Sequence, residues 1–184
     1  MVCKHQIKHV EENDIMPRVI FISGPVGAGK STVACKLVAL LPGAVSYIEG
    51  DTFWSFIKKS EKHDRREDFH VIMRAMTAAT IPFARSGFDV VLDFSIPPAF
   101  LEVARKILKE VPLEFVVLYP SKAVCAARAA ARQEGAMPDY SNYASFYSLF
   151  DGFDQHKINN EAANADVVAA QILEGLNSGK FRVK

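Results

Sequence analysis

Short apolar, β-branched runs stand at 19–23, 45–48, 89–93 and 114–119, each too short for a helix and each followed by polar or Gly/Pro positions. Such runs predict strands. Between them the apolar positions recur with helical spacing, over 31–41 before Pro42-Gly43, over 52–59, and over 65–85 before Ser86-Gly87. Further helices are predicted over 98–110 and over 121–133, the latter with Ser121 as N-cap. The 65–85 helix has to absorb Pro82. After Gly135 the chain to Asp154 is rich in Tyr, Phe, Ser and Asn and loses its period, so it reads as an irregular excursion. A very short strand at 157–159 and a last helix over 162–176 follow. Strands that alternate with helices call for parallel pairing, because parallel neighbours need crossovers and helices supply them. The expected fold is therefore α/β, a three-layer sandwich around a central parallel sheet of about five strands. Residues 1–17 read as a polar N-terminal extension and 18–184 as a single domain.

Composition narrows the picture without naming a chemistry. With 184 residues, 49% hydrophobic and 23% charged, the chain can build one real core. Lys plus Arg is 22 and Asp plus Glu is 21, a net charge of +1, so no bulk positive field favours sequence-blind binding to nucleic acid. Cys3, Cys35 and Cys125 are odd in number and widely spaced, which suggests neither a disulfide framework nor a zinc ribbon and points to a reducing, cytoplasmic setting. There is no apolar run of about 18 residues, so no membrane span is expected. The histidines form no metal-ligand spacing.

The chemistry enters at Gly24-Pro25-Val26-Gly27-Ala28-Gly29-Lys30-Ser31, which matches GxxxxGK(S/T) between a predicted strand and a predicted helix. Glycines let backbone N–H groups turn inward around phosphate oxygens, and the following helix presents its positive end to the same anion. Lys30 is expected on the β and γ phosphates, Ser31 on Mg²⁺, and Thr32 on the α phosphate. The implied ligands are ATP and Mg²⁺. No NKxD box or DxxG switch follows Lys30, no LSGGQ signature is present, and the helical lid domain of an AAA+ motor is missing.

With the P-loop and Glu49-Gly50-Asp51 after the second strand, the chain resembles the small P-loop kinases of metabolites, the group of shikimate kinase, gluconate kinase and chloramphenicol phosphotransferase. The resemblance implies a nucleotide kinase-like P-loop NTPase with a small lid, here about 133–152, that closes over nucleotide. It also places Asp51 at the acidic position facing the transferred phosphoryl group, as general base, alongside its simpler role as N-cap of a helix starting at Thr52. Asp93 ends an apolar strand in the manner of a Walker B acid; it holds the metal, lines the acceptor pocket or caps a turn. Glu49 is a further candidate for the metal shell. Arg128 and Arg132, four apart on one predicted helix, are placed near the base and near phosphate, or else on a solvated face.

For the acceptor, the resemblance points to the region from Asp51 to Arg74. Phe53, Trp54 and Phe56 offer either an apolar wall or core packing. Arg65, Arg66 and Arg74 offer anion contacts or a surface face. The Gly-rich motif of shikimate kinase after the third strand is replaced by Asp93-Phe94-Ser95-Ile96-Pro97-Pro98, and Asn159-Asn160 reads as either turn or base contact. The function implied is transfer of the γ-phosphoryl group of ATP to a hydroxyl of a small molecule. A zeta-toxin-like kinase of nucleotides, nucleotide sugars or polynucleotide ends, and a nucleotide-binding regulator with slow hydrolysis, are the other two readings. Oligomeric state is not legible.

Overall fold

Five strands form one sheet in which every pairing is parallel, in the order β2-β3-β1-β4-β5: β1 Val19–Ser23, β2 Val45–Glu49, β3 Asp89–Asp93, β4 Leu113–Leu118 and β5 Lys157–Ile158. The protein's structure is a computed structural model in which residues 16–59, 64–132 and 139–184 are described. Most of the expected N-terminal extension, and residues 133–138 of the expected lid, lie outside them. The central strands β1 and β4 are buried at every position, as expected of a sheet covered on both faces.

Alternation along β1 divides the core. Ile20 and Ile22 pack with Ala34 and Leu37 of α1 (Lys30–Leu40) and with Val168 and Ile172 of α6 (Ala165–Asn177). Val19 and Phe21 point the other way, to Ile72, Met73 and Met76 of α2 (Arg65–Arg85) and Ala104 and Leu108 of α3 (Leu101–Leu108). β5 pairs only with Val117 and Leu118. The start of β4 is covered instead by the C-terminal segment, where Phe115 N–H donates to the Phe181 carbonyl and Val183 N–H to that of Leu113, both at 2.9 Å.

Several predicted elements are shorter or of another type. The helix expected over 52–59 is a 3-10 helix, Gly50–Phe56, and contains Asp51 instead of being capped by it. The one expected over 98–110 begins as a 3-10 turn and ends at Leu108, and the one over 121–133 ends at Ala130, where it becomes α4 (Lys122–Ala130) with Ser121 as N-cap, as expected. The last helix starts at Ala165, where the Asn164 side chain accepts from Val167 N–H. Pro82 is absorbed one turn from the end of α2, at the loss of the single N–H bond it would have donated to the Ala78 carbonyl.

The described part of the irregular excursion, from 139 onward, is a string of short turns around α5 (Ala144–Tyr147). It is fastened to the body by three aromatic residues. The Tyr140 hydroxyl donates to the Val26 carbonyl at 2.7 Å, the Tyr147 hydroxyl to that of Pro120 at 2.8 Å, and Phe150 is fully buried.

Candidate active site

β1 stands at the centre of the sheet with β3 on one side and β4 on the other, and the chain crosses over it between them. The carboxyl ends of β1 and β3 thus form the crevice where α/β sheets bind ligands. The P-loop leaves β1 at this point. Gly24 and Gly27 have φ of 136° and 82°, and a Cβ on either would lie 2.2 Å from the Leu118 carbonyl oxygen or 2.1 Å from that of Cys125. Only glycine fits. The N-cap of α1 is Gly29, which has no side chain to offer the first-turn N–H groups, so that helix end is left to an anion. Behind the loop, Asn160 is buried and its Nδ2 donates to the Ala28 carbonyl at 2.7 Å. The Tyr140 and Asn160 fastenings give the loop its shape before any ligand arrives.

Lys30 Nζ donates to the Gly24 and Pro25 carbonyls at 3.3 and 3.1 Å. Burial pushes its pKa down from 10.5 to about 8, against the pull of Asp51 and Asp93 and with help from Arg132. A triphosphate beside the amine restores the charged form. Nucleotide binding should therefore take up a proton near pH 8.5, about one unit or less, and close to none near pH 6.5, with affinity falling as pH rises above about 8. Calorimetry in buffers of different ionisation enthalpy measures this; equal proton uptake at both pH values contradicts it.

Asp93, at the end of β3, is 3% exposed, and one of its carboxylate oxygens has no hydrogen-bond partner. Burial raises its pKa, opposed by the Ser31 hydroxyl, the Lys30 ammonium and the Tyr47 phenol. The P-loop serine and the strand-ending acid, assigned separately from sequence, thus meet. A buried carboxylate with an oxygen to spare, next to a hydroxyl, suits a hard divalent cation that binds through one or two protein oxygens and completes its shell with water and phosphate. Among the described residues there is no cluster of three His, Cys, Asp or Glu that would make a self-sufficient metal site.

Asp51 lies in the first turn of the 3-10 helix after β2. Its position depends on Gly50, where a Cβ would stand 2.7 Å from Phe94 Cβ and 2.9 Å from the Asp93 carbonyl oxygen. Gly50→Ala is expected to cost about 1–3 kcal/mol, since a side-chain root and a backbone carbonyl both have to move. A urea midpoint equal to that of the unaltered protein contradicts this.

Lys30, Asp51 and Arg132 line one cavity of about 470 Å³, together with Trp54, Arg65, Arg66, Phe69, Phe94, Ser95 and the roof residues Tyr143 and Phe146. Of the acceptor-side candidates, Trp54 lines this cavity, whereas Phe53 and Arg74 are not on its wall. Phe53 packs edge to face on Phe56, and Arg74 is exposed on α2. The arginine pair also divides. Because α4 ends at Ala130, Arg128 and Arg132 do not share a helix face: Arg132 lies past the C-cap and reaches the cavity, whereas Arg128 donates to the Asn160 and Glu161 carbonyls at 3.0 and 3.3 Å. Arg128 holds the turn after β5. Asn159 accepts from Glu161 N–H, the turn alternative of its two readings, and Thr32 is exposed on α1. Phe69, Phe94, Ser95, Tyr143 and Phe146 were missed, having no local signal of their own.

Residues 19–142 match the family described as AAA domain, about two thirds of the chain. The chain belongs to that family. No curated protein matches it closely enough to count. Among solved structures, an unliganded sugar kinase from Janibacter sp. has a TM-score of 0.68 at 17% identity, covering 88% of this chain and 95% of that one. The APS kinase of Mycobacterium tuberculosis, in complex with AMPPNP and APS, has a TM-score of 0.68 at 18% identity, covering 88% and 98%. The tunicamycin resistance protein of Deinococcus radiodurans has a TM-score of 0.63 at 19% identity, covering 91% and 99%. The resemblance to small P-loop kinases thus holds at the level of the fold. No helix among the described residues is long and apolar enough to cross a membrane.

Proposed function

We propose that this protein transfers the γ-phosphoryl group of ATP to a hydroxyl of a small molecule. The observation that carries the reading is the convergence of Lys30, Asp51 and Arg132 on one cavity at the mouth of the P-loop. A phosphate cradle, a carboxylate and a guanidinium on one cavity are what phosphoryl transfer to an alcohol requires. The P-loop amides and Lys30 hold the triphosphate and stabilise charge on the transferring group. Asp51 accepts the proton of the acceptor hydroxyl as its oxygen bonds to phosphorus. The bond from phosphorus to the β-phosphate oxygen breaks, and ADP leaves with those electrons. Arg132 neutralises charge on the equatorial oxygens, and its planar fork suits them. Ser31 and Asp93 would hold Mg²⁺, which when bound offsets negative charge on the phosphates.

The kinase fold of the neighbours and the AAA domain membership support this reading. With ATP and acceptor bound, the aromatic residues of the wall would leave little room for water, which limits loss of ATP to hydrolysis. The free thiols Cys35 and Cys125 are in keeping with a cytoplasmic setting. A panel of hydroxyl-bearing metabolites, screened for ADP release above the rate without acceptor, tests the proposal. Stimulation by at least one small alcohol with formation of its phosphate ester is expected; ADP release that no acceptor alters would instead identify a slow hydrolase.

A further inference from the structure

We infer that the acceptor carries a planar ring and an anionic group in addition to its hydroxyl. The inference rests on the phosphotransfer reading and specifies the acceptor half of the same cavity. Its charge inventory is one-sided: Lys30, Arg65, Arg66 and Arg132 face a single lining carboxylate, Asp51. Lys30 and Arg132 stand on the P-loop side, where the triphosphate belongs. Arg65 and Arg66 stand apart on the first turn of α2, next to the N-cap Asp64. The acids of that turn, Asp64, Glu67 and Asp68, already offset the dipole cost of the two cations, so what marks Arg65 and Arg66 is that both line the cavity. Among the described residues neither arginine has an ion-pair partner.

The ring follows from what else lines the wall. Trp54 stacks on Phe69 at 6.3 Å between centroids, Phe69 lies 5.4 Å from Phe94 and meets Phe146 edge-on at 6.2 Å. The Arg65 guanidinium lies over the Trp54 ring, 4.6 Å from its centroid, so the cation and the flat face come as one unit. The neutral hydrogen-bonding side chains on this wall are Ser95, Tyr143 and Trp54, the last through its indole N–H. A polyol would bring several hydroxyls to a surface with three neutral partners, and each one left unpaired weakens binding. A neutral aromatic alcohol would bring no charge to Arg65 and Arg66, the two cations on this part of the wall. A flat ring against Trp54 and Phe69, with a carboxylate, phosphate or sulfate toward Arg65 and Arg66, satisfies both walls and leaves its hydroxyl toward Asp51.

Trp54 is the chain's one tryptophan, so its emission reports this wall directly. The test titrates the ATP-free protein with para-hydroxymethylbenzoate, its neutral twin para-hydroxymethylbenzamide, and gluconate, following Trp54 fluorescence, and then measures ADP release with each. The benzoate is expected to change Trp54 emission at about tenfold lower concentration than the benzamide, with gluconate giving no change. Arg66→Gln is expected to erase the difference between the benzoate and the benzamide while leaving the affinity for ATP within about twofold. Equal response to the two ring compounds, no response to either, or an advantage that survives Arg66→Gln overturns the inference. Selective benzoate binding supports the inference whether or not ADP is released; only silence across the whole acceptor panel would overturn the phosphotransfer reading. ADP release driven by gluconate with Trp54 silent would keep that reading and overturn the inference.

Discussion

Lys30→Met is expected to keep the fold and to lower phosphoryl transfer by about a thousandfold or more, the scale of a charge placed on the developing transition state. Among the described residues its ammonium bonds to the carbonyls of its own loop, Gly24 and Pro25, so removal leaves the sheet and both core layers untouched. Methionine keeps the length and apolar stem of the side chain while deleting the charge. The two readouts are the circular dichroism melting midpoint, expected within a few degrees of the original, and acceptor-dependent ADP release. Transfer within about tenfold of the unaltered protein would remove Lys30 from the phosphate site.

Asp51→Asn is expected to lower kcat by about a hundredfold to ten-thousandfold while the affinity for ATP stays within about twofold. The carboxylate is an exposed group on the cavity wall and caps no helix, so the amide replaces it without a structural penalty. Asp93→Asn separates the two acids. Asp93 is buried against Ser31, and its loss should weaken the dependence of nucleotide binding on Mg²⁺. If Asp51→Asn retains full kcat and Asp93→Asn abolishes transfer with nucleotide binding intact, the base belongs to Asp93.

The parts of the site that were legible in the sequence are those set by local backbone geometry. Gly24 and Gly27 are demanded by positive φ and by neighbouring carbonyls, so they appear in sequence at fixed spacing from Lys30. Continuous apolar runs marked β1, β3 and β4 for the same local reason, because strands covered on both faces need no polar alternation. The shared helix face expected of Arg128 and Arg132 fails because nothing between Ser121 and Gly135 signals a stop. α4 ends at Ala130 without glycine or proline, so Arg132 lies past the helix end and lines the cavity with Lys30 while Arg128 stays on the helix. Of the aromatic wall the sequence singled out only Trp54, which follows Asp51 within one turn, whereas Phe69, Phe94 and Phe146 come from α2, the loop after β3 and α5. Only the tertiary fold brings them together. Residue Tyr140 illustrates the same limit, since its bond to the Val26 carbonyl spans more than a hundred positions of chain.

The central claim is that the P-loop and Lys30 grip a triphosphate, and isothermal calorimetry of ATP binding in the presence of Mg²⁺ tests it most directly. The account predicts saturable heat at one site, much weaker binding of AMP, and loss of about two orders of magnitude in affinity with Lys30→Met. Absence of heat with ATP, or affinity for AMP equal to that for ATP, would contradict it.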